Sequence, residues 1–189
     1  MKAYISNFLI VMLLLTGCTK KKTDLEVSSL EEEVQSKSLR TDKDGLTYLT
    51  GLLKTVHGNI EIKFYSKEAP NSVSRIIQLI RQGFYDGLKF HRVIPKFVIQ
   101  TGDPTGSGNG GSGKTLKAEF NSIPHIKGTV ALARGEDPDS SDSQFYIALT
   151  TLPHLDRKYT VIGQVIKGME VVDKINRNDL IVSFSIKEK

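Results

Sequence analysis

The chain has 189 residues, of which 39% are hydrophobic and 25% are charged, and its formal net charge is +5 at pH 7. This length fits one ordinary domain, and the composition excludes both wholesale disorder and a protein with many membrane spans. The chain has one cysteine, which excludes an internal disulfide and a structural zinc site. The mild positive charge forms no basic stripe with interleaved aromatic residues, so we expect no nucleic-acid partner.

The first eighteen residues predict export from the cytoplasm. Lys2 precedes an apolar run over residues 8–15, which is the arrangement of a secretory signal peptide. The run is shorter than the ~18 residues that a membrane span requires. Residues 15–18, which end in Cys18, resemble the lipobox of bacterial lipoproteins. The resemblance implies cleavage before Cys18, lipidation of its thiol and anchoring in the cell envelope, facing the periplasm or the exterior. The alternative is a buried cysteine without a chemical role.

The following segment is polar and has no proline. Its apolar residues are too sparse to form a helix that packs alone. We therefore interpret residues 1–17 as the signal peptide, residues 18–45 as the lipidated N-terminus and a polar tether, and residues 46–189 as the folded domain. A helix that docks on a partner is an alternative for the tether, and the sequence does not decide between them.

From Gly51 onward apolar residues recur with a period of two, which predicts β-strands. Turn residues and changes of period separate the candidates from one another. The eight candidate strands are residues 52–56, 60–65, 90–94, 97–101, 128–133, 144–149, 160–166 and 180–187.

Two helices are predicted among these strands. Apolar residues recur at helical spacing from Val73 to Ile80, and Gly83 marks the end of this first helix. A second, short helix between the last two strands turns Met169, Val172 and Ile175 inward. Eight antiparallel strands are enough to close a barrel that side chains fill. We therefore expect a mostly β fold, a closed eight-stranded antiparallel barrel capped by two α-helices.

A glycine-rich stretch imitates a nucleotide-binding motif. Residues 108–115 match the phosphate-loop pattern G-x-x-x-x-G-K-[ST], with Lys114 as the lysine. A phosphate loop needs a strand directly before it and a helix directly after it. Here residues 103–107 intervene, and Pro124 would interrupt the helix. We interpret the stretch as a flexible surface loop and expect no nucleotide.

The sequence gives no support for metal-dependent or nucleophilic catalysis. The four histidines lie far apart and show no paired metal-ligand spacing. The predicted folded domain has no cysteine that could act as a nucleophile. We therefore expect no metal and no cofactor, and a reaction without a covalent intermediate.

Three separate motifs resemble the cyclophilins, a family of peptidyl-prolyl cis–trans isomerases. Residues 90–103 read FHRVIPKFVIQTGD, which matches the family pattern F-H-R, two apolar residues, P-x-F, two further residues and Q-x-G-D. Residues 143–147 read SQFYI, and residues 155–163 are similar to the family's L-D-G-K-x-x-V-F-G. The resemblance covers about residues 52–187, and it implies an eight-stranded antiparallel barrel with two helices.

The resemblance implies an enzyme that accelerates rotation about X–Pro bonds and so aids protein folding. Its partners would be proline-containing polypeptides outside the cytoplasm, and we expect a monomer. A proline-peptide binding module or holdase without catalysis is the alternative. The implied catalytic residues are Arg92, Phe97, Gln100, Gln144 and Tyr146. The implied substrate-binding residues are Val98, Ala133, Arg134, His154, Leu155 and Tyr159.

In the family, the arginine that matches Arg92 donates hydrogen bonds around the prolyl amide. Side-chain alternation supports part of this site, because Gln144 and Tyr146 are two apart and face the same way on a strand, whereas Phe145, Ile147 and Leu149 face the core. Phe97 and Gln100 are three apart, so we expect a bulge or a strand end between them.

The sequence also departs from the family pattern. His154 stands where relatives that bind cyclosporin tightly have tryptophan, so we expect weak binding of that drug. Tyr146, Arg157 and Tyr159 replace the family's frequent phenylalanine, glycine and histidine. These departures leave the substrate preference open.

Overall fold

The computed structural model describes residues 39–41 and 47–187 of the chain. The predicted signal peptide, the predicted lipidation site Cys18 and most of the predicted tether lie outside the described residues. The domain boundaries therefore stay a prediction.

The described residues form nine strands that belong to one antiparallel sheet. Eight of them, β2 to β9, lie where the apolar period of two predicts strands. The order in the sheet is β1-β2-β3-β8-β6-β7-β5-β4, and β9 pairs with β2. The strands are β1 (Leu39–Thr41), β2 (Thr47–Thr55), β3 (Gly58–Phe64), β4 (Arg92–Ile94), β5 (Val98–Thr101), β6 (Thr129–Leu132), β7 (Phe145–Ala148), β8 (Val161–Lys167) and β9 (Ile181–Ile186).

Strand β1 was not predicted. It lies in the range interpreted as a tether and pairs with the beginning of β2, with Leu39 opposite Leu49. Three residues without a preceding apolar run carry too little periodicity to mark a strand.

Both predicted helices are confirmed. Helix α1 (Pro70–Arg81) buries the predicted apolar stripe and ends before Gly83, which has a positive φ of 68°. The Gly83 N–H donates to the Ile80 carbonyl at 3.0 Å, as expected for a glycine that closes a helix. Helix α2 (Met169–Val172) is a single turn. In the described part of the chain, neither helix has the length and apolar character to cross a membrane.

The strands separate two apolar clusters. Phe145 and Ile147 of β7 pack into the larger cluster, which lies between the sheet and α1. Their neighbours Tyr146 and Ala148 belong to a smaller cluster. This alternation confirms the predicted facing of β7, and it gives the sheet a second apolar surface on which a site can form.

The predicted closed barrel is wrong, because the sheet is an open half-barrel. One edge of the sheet is β4, and the other is formed by β1 and β9, which both pair with β2. No ladder joins β4 to β9 in the described part of the chain; one isolated bridge, Lys89 with Leu180, and backbone hydrogen bonds between residues 87–90 and 178–181 connect the two edges. Instead of a β4 ladder, the loop after α1 takes up the polar groups at this edge. The Ile181 N–H donates to the Leu88 carbonyl at 2.9 Å, and the Phe184 N–H donates to Asp86 Oδ1 at 2.9 Å. Because these two N–H groups already have partners, a ladder between β4 and β9 would gain no hydrogen bonds from them.

Candidate active site

The register of four strands assembles the centre of the site. Arg92 on β4 lies opposite Gln100 on β5, and Gln100 lies opposite Tyr146 on β7. Tyr146 in turn lies opposite Ala131 on β6. Residues far apart in the chain therefore form one row across the sheet, because directly opposed residues in an antiparallel sheet are close neighbours.

An open pocket of about 130 Å³ lies beside this row. All of its lining residues belong to the set that the sequence predicts as catalytic or substrate-binding. They are Arg92, Phe97, Val98, Gln100, Ala133, Arg134, Tyr146, Leu155 and Tyr159. The two remaining predicted residues touch the lining: Gln144 accepts a hydrogen bond from Gln100, and the His154 ring stacks on Phe97 at 6.0 Å between centroids.

A strand end resolves the odd spacing of Phe97 and Gln100. Strand β5 begins at Val98, and a tight turn precedes it in which Lys96 has a positive φ of 60°. Phe97 therefore lies outside the strand alternation and can contact the pocket together with Gln100. The Arg92 guanidinium carbon lies 5.6 Å from the centroid of the Phe97 ring, within range of a cation–π interaction.

A chain of side-chain hydrogen bonds orients Arg92. Arg92 Nη1 donates to Gln100 Oε1 at 3.0 Å, and Gln100 Nε2 donates to Gln144 Oε1 at 2.8 Å. Gln144 Nε2 then donates to the carbonyls of Gly108 and Gly110 at 3.0 and 2.8 Å. Arg92 itself is exposed and available to a ligand, whereas Gln100 and Gln144, which lie behind it, are partly buried.

The opposite side of the pocket is aromatic and buried. Tyr146 is 4% exposed, and its hydroxyl lies 2.9 Å from Nε2 of the fully buried His125. Asp156 Oδ1 accepts from the His125 backbone N–H at 2.7 Å and from its Nδ1 at 2.9 Å. Because an ionised carboxylate can only accept, Nδ1 carries a proton, and in the neutral imidazole Nε2 then accepts from the Tyr146 hydroxyl. Tyr159 meets Tyr146 edge to face at 5.7 Å.

These contacts shift two ionisation equilibria. Burial raises the pKa of Tyr146, and the nearby Tyr159 raises it further, so its hydroxyl stays protonated. The hydrogen bonds from the backbone and the ring of His125 lower the pKa of Asp156, so its carboxylate stays ionised. The Tyr146 hydroxyl therefore meets His125 in its protonated form, and the Asp156 carboxylate meets it in its ionised form.

Arg134 forms a rigid rim of the pocket. Its Nε donates to the Lys158 carbonyl at 3.0 Å, and its Nη1 donates to the carbonyls of Gly135 and Glu136 at 2.9 and 3.1 Å. The guanidinium carbon also lies 4.9 Å from the centroid of the Tyr159 ring. Arg134 thus adds fixed positive charge to the pocket beside Arg92.

The backbone amides of the phosphate-loop lookalike have protein partners. The N–H groups of Gly113 and Lys114 donate to Asp142 Oδ2 at 2.9 and 3.2 Å, and the Ser112 hydroxyl donates to Asp142 Oδ1. The Gly108 N–H donates to Asp103 Oδ2 at 2.6 Å. Three N–H groups that a phosphate loop would direct at a nucleotide, those of Gly108, Gly113 and Lys114, are thus directed at carboxylates of the same chain.

Sequence reasoning missed three residues that contact the site's own side chains or its loop. His125 contacts the Tyr146 hydroxyl and Asp156 holds the His125 ring, although the two residues lie 21 and 10 residues away from Tyr146 in the chain. Asp103 organises the glycine-rich loop. The motif around residues 90–103 includes Asp103, but no local pattern links His125 to Tyr146.

A guanidinium beside an aromatic pocket on an antiparallel half-barrel suits the binding of an apolar ring next to a polar amide. The family model for cyclophilin-type peptidyl-prolyl cis–trans isomerases matches residues 51–186. A peptidyl-prolyl cis–trans isomerase from Helicobacter pylori is 42% identical over 135 residues, which cover 69% of this chain and 82% of the relative. One from Synechococcus elongatus is 40% identical over 137 residues, covering 71% of this chain and 94% of the relative.

Solved structures agree with these relatives. The crystal structure of a cyclophilin-type peptidyl-prolyl cis–trans isomerase from Cryptosporidium parvum has a TM-score of 0.70 and 25% sequence identity. The match covers 75% of this chain and 99% of that one. The chain therefore belongs to the cyclophilin family, and it is a peptidyl-prolyl cis–trans isomerase.

Proposed function

We propose that this isomerase acts on X–Pro bonds of polypeptides outside the cytoplasm and that Arg92 is its principal catalytic residue. One observation carries the assignment of Arg92. Its guanidinium lies over the Phe97 ring at the edge of the apolar pocket, and the Gln100 amide holds it by a hydrogen bond. Within the described residues its other N–H groups make no hydrogen bond, so they are free to donate to a substrate.

The reaction needs only that the enzyme favour a twisted amide. Resonance in the C–N bond sets a rotation barrier of ~18–20 kcal/mol. In the twisted state this resonance is lost, and the prolyl nitrogen regains a lone pair that can accept a hydrogen bond. A guanidinium that donates to this nitrogen stabilises the twisted amide more than the planar one, which is the condition for catalysis. A difference of about 7 kcal/mol would accelerate rotation about 10⁵-fold.

The remaining lining residues hold the substrate while it rotates. Phe97, Tyr146 and Leu155 offer apolar surface for the proline ring. Because the ring is held, rotation moves the segment before the proline relative to it. Gln100 and Gln144 are positioning residues, since they orient the Arg92 guanidinium.

The test is an isomerisation assay on an X–Pro peptide with the full-length chain, comparing wild type, Arg92→Ala and Arg81→Ala. We expect Arg92→Ala to lower kcat/KM by about 10²–10³, the usual loss when a donor to a transition state is removed. Arg81, an exposed arginine at the end of α1, is the matched control and should leave the rate unchanged. Tight peptide binding by an inactive wild type would instead identify a binding module.

We further propose that Cys18 carries a lipid that anchors the enzyme in the bacterial cell envelope. The apolar run over residues 8–15 and the lipobox-like residues 15–18 support this location. Cys18→Ser should move the protein from the membrane fraction to the soluble fraction of cells that express it. Retention of the variant in the membrane fraction would contradict lipidation at Cys18.

A further inference from the structure

The glycine-rich loop, residues 102–115, is built around a buried carboxylate in its first half. Asp103 is 1% exposed, and its Oδ1 accepts from the Thr105 N–H and hydroxyl at 2.7 and 2.8 Å. Its Oδ2 accepts from the Gly108 N–H at 2.6 Å. Burial raises the pKa of Asp103, but hydrogen bonds from Thr105, Gly110 and Gly108 outweigh burial and hold the pKa well below its usual range. The ionised carboxylate therefore turns the amides of this half-loop inward.

The carbonyls of the same half-loop point to the side chain of Gln144. Gln144 Nε2 donates to the carbonyls of Gly108 and Gly110, so both of its protons are used. The two glycines that contact Asp103 through their amides thus contact Gln144 through their carbonyls. This double use connects the Asp103 carboxylate to the row of polar side chains that ends at Arg92.

The two ends of this row fix the orientation of both amides between them. Backbone carbonyls can only accept, so Gln144 must present its NH₂ group to the loop and its oxygen to Gln100. Gln100 must then present its NH₂ group to Gln144 and its oxygen to Arg92, which can only donate. If the loop carbonyls moved away, the Gln144 amide could flip, and Gln100 could turn its NH₂ group toward the guanidinium. That orientation removes the hydrogen bond that holds Arg92.

The second half of the loop has its own carboxylate and lacks this connection. Asp142 accepts from the N–H groups of Gly113 and Lys114 and from the Ser112 hydroxyl. None of these three residues hydrogen-bonds to Gln144, Gln100 or Arg92 in the described part of the chain. The two halves of the loop therefore offer a matched comparison.

We propose that Asp103 is a positioning residue for catalysis, which acts on Arg92 through the Gly108 and Gly110 carbonyls, Gln144 and Gln100. The proposal rests on the proposed catalytic role of Arg92. It gives the glycine-rich loop a function in proline isomerisation, and it explains why residue 110 lacks a side chain. A Cβ at Gly110 would lie 2.1 Å from Asp103 Oδ1, so any larger residue would displace the carboxylate or the backbone.

The first experiment compares Asp103→Asn with Asp142→Asn in the full-length chain. Asparagine keeps the shape of Asp103 but replaces one acceptor oxygen with a donor, which faces amides that also donate. We expect Asp103→Asn to lower kcat about tenfold, equivalent to about 1.4 kcal/mol, with KM within a factor of about two. Asp142→Asn should leave kcat within the same factor of about two. Equal losses in both variants would show that the loop acts only through its general stability and would overturn the proposal.

A second pair uses the adjacent glycines in case Asp103→Asn folds poorly. Gly110→Ala places its Cβ against Asp103, whereas Gly111→Ala places its Cβ 2.4 Å from Asp142 Oδ2. Both changes crowd a carboxylate, but only the first crowds the one connected to Arg92. We expect a fall in kcat for Gly110→Ala and not for Gly111→Ala, and the reverse order would contradict the proposal.

An NMR measurement on the Arg92 side chain distinguishes positioning of Arg92 by Asp103 from a purely structural role of Asp103. The ¹⁵Nε–¹Hε resonance of Arg92 should shift or broaden in Asp103→Asn and remain in place in Asp142→Asn.

In an Arg92→Lys background, Asp103→Asn should cause no further loss of kcat, because the residue that it positions is already absent. Additive losses would overturn the proposal. If Arg92→Ala kept full activity, the proposed function would fail; if activity depended on Arg92 but not on Asp103, only the positioning role would fail.

Discussion

Two walls of the pocket are held in place by different physical means. The polar wall, which comprises Arg92, Gln100 and Gln144, is a row of hydrogen bonds between exposed or partly buried side chains. The aromatic wall comprises Tyr146 and Tyr159, which belong to an apolar cluster, and the fully buried His125 packs behind them; Tyr146 itself is 4% exposed. The polar wall therefore serves to orient the Arg92 guanidinium, whereas the aromatic wall also stabilises the folded state.

The two walls differ in this way because water reaches the polar side chains of the first wall but not the buried polar atoms of the second. A polar side chain near the surface can replace a lost partner with water, so removing its contact costs little stability. A buried polar atom cannot do so, and leaving it without a partner costs about 1–3 kcal/mol. Substitutions in the polar wall should thus lower the rate of isomerisation and leave unfolding unchanged. Substitutions in the aromatic wall should lower the free energy of unfolding.

The largest effect is expected for Arg92→Lys. Lysine keeps the charge but lacks the planar fork that can bond Gln100 and a substrate at the same time. We expect kcat/KM to fall by about 10²-fold, or about 2.7 kcal/mol, with the urea midpoint of unfolding unchanged. Isomerisation kinetics and urea titration of the same samples provide the measurement. If Arg92→Lys also lowered the urea midpoint, the claim that the polar wall contributes little to stability would be wrong.

The next effect is expected for Tyr146→Phe, in the aromatic wall. The variant keeps the apolar ring but removes the hydroxyl that donates to His125 Nε2. Because His125 is fully buried, its ring nitrogen loses its partner, and we expect the free energy of unfolding to fall by about 1–3 kcal/mol. Turnover of an X–Pro peptide should change little, since the ring still contacts the proline. Unchanged stability would show that water or a shift of the ring replaces the hydroxyl.

A smaller effect is expected for Phe97→Leu, at the junction of the two walls. The Phe97 ring contacts the Arg92 guanidinium on one side and stacks with His154 on the other. Leucine keeps an apolar surface but loses the cation–π contact, which contributes about 0.5–1 kcal/mol at exposed sites. We expect KM to rise severalfold with a smaller change in kcat. A fall in kcat as large as that of Arg92→Lys would show that Phe97 acts mainly by orienting the Arg92 guanidinium.

The smallest effect concerns pH and the buried His91, next to Arg92 in the chain. Burial lowers the pKa of His91; the Asp103 charge opposes this shift, and the Arg92 and Arg177 charges add to it. A histidine whose pKa is lower in the folded state contributes stability above its unfolded pKa of about 6.5, and this contribution is lost as the pH falls below that value. Relative to His91→Phe, wild type should lose stability between about pH 7 and pH 5. Urea titrations of both proteins at the two pH values measure this difference, and a constant difference would contradict the shift.

Local patterns predicted most of the secondary structure and the composition of the site. The period-two segments became β2 to β9, and the apolar stripe from Val73 to Ile80 became the buried face of α1. Alternation on β7 correctly separated Tyr146 from the core residues Phe145 and Ile147. These features are predictable because burial on a strand or helix depends only on spacing along the chain.

Other features depend on partners that are distant in the chain, and spacing carries no information about them. Periodicity assigns a face to each strand but not a register, so the alignment of Arg92, Gln100 and Tyr146 could not be read from it. Whether the sheet closes depended on how the edge of β9 was satisfied, and Asp86 and Leu88 of the preceding loop satisfy it.

The sequence alone was therefore sufficient to specify the strands, the helices and the family motifs that contain Arg92, because each of these is a local property. Tertiary folding alone decided that the barrel stays open and that His125 meets Tyr146. It also decided that a loop resembling a phosphate cradle directs its amides at Asp103 and Asp142. The physical reason is that hydrogen-bond donors and acceptors are satisfied by whichever partner the fold brings near, regardless of separation in the chain.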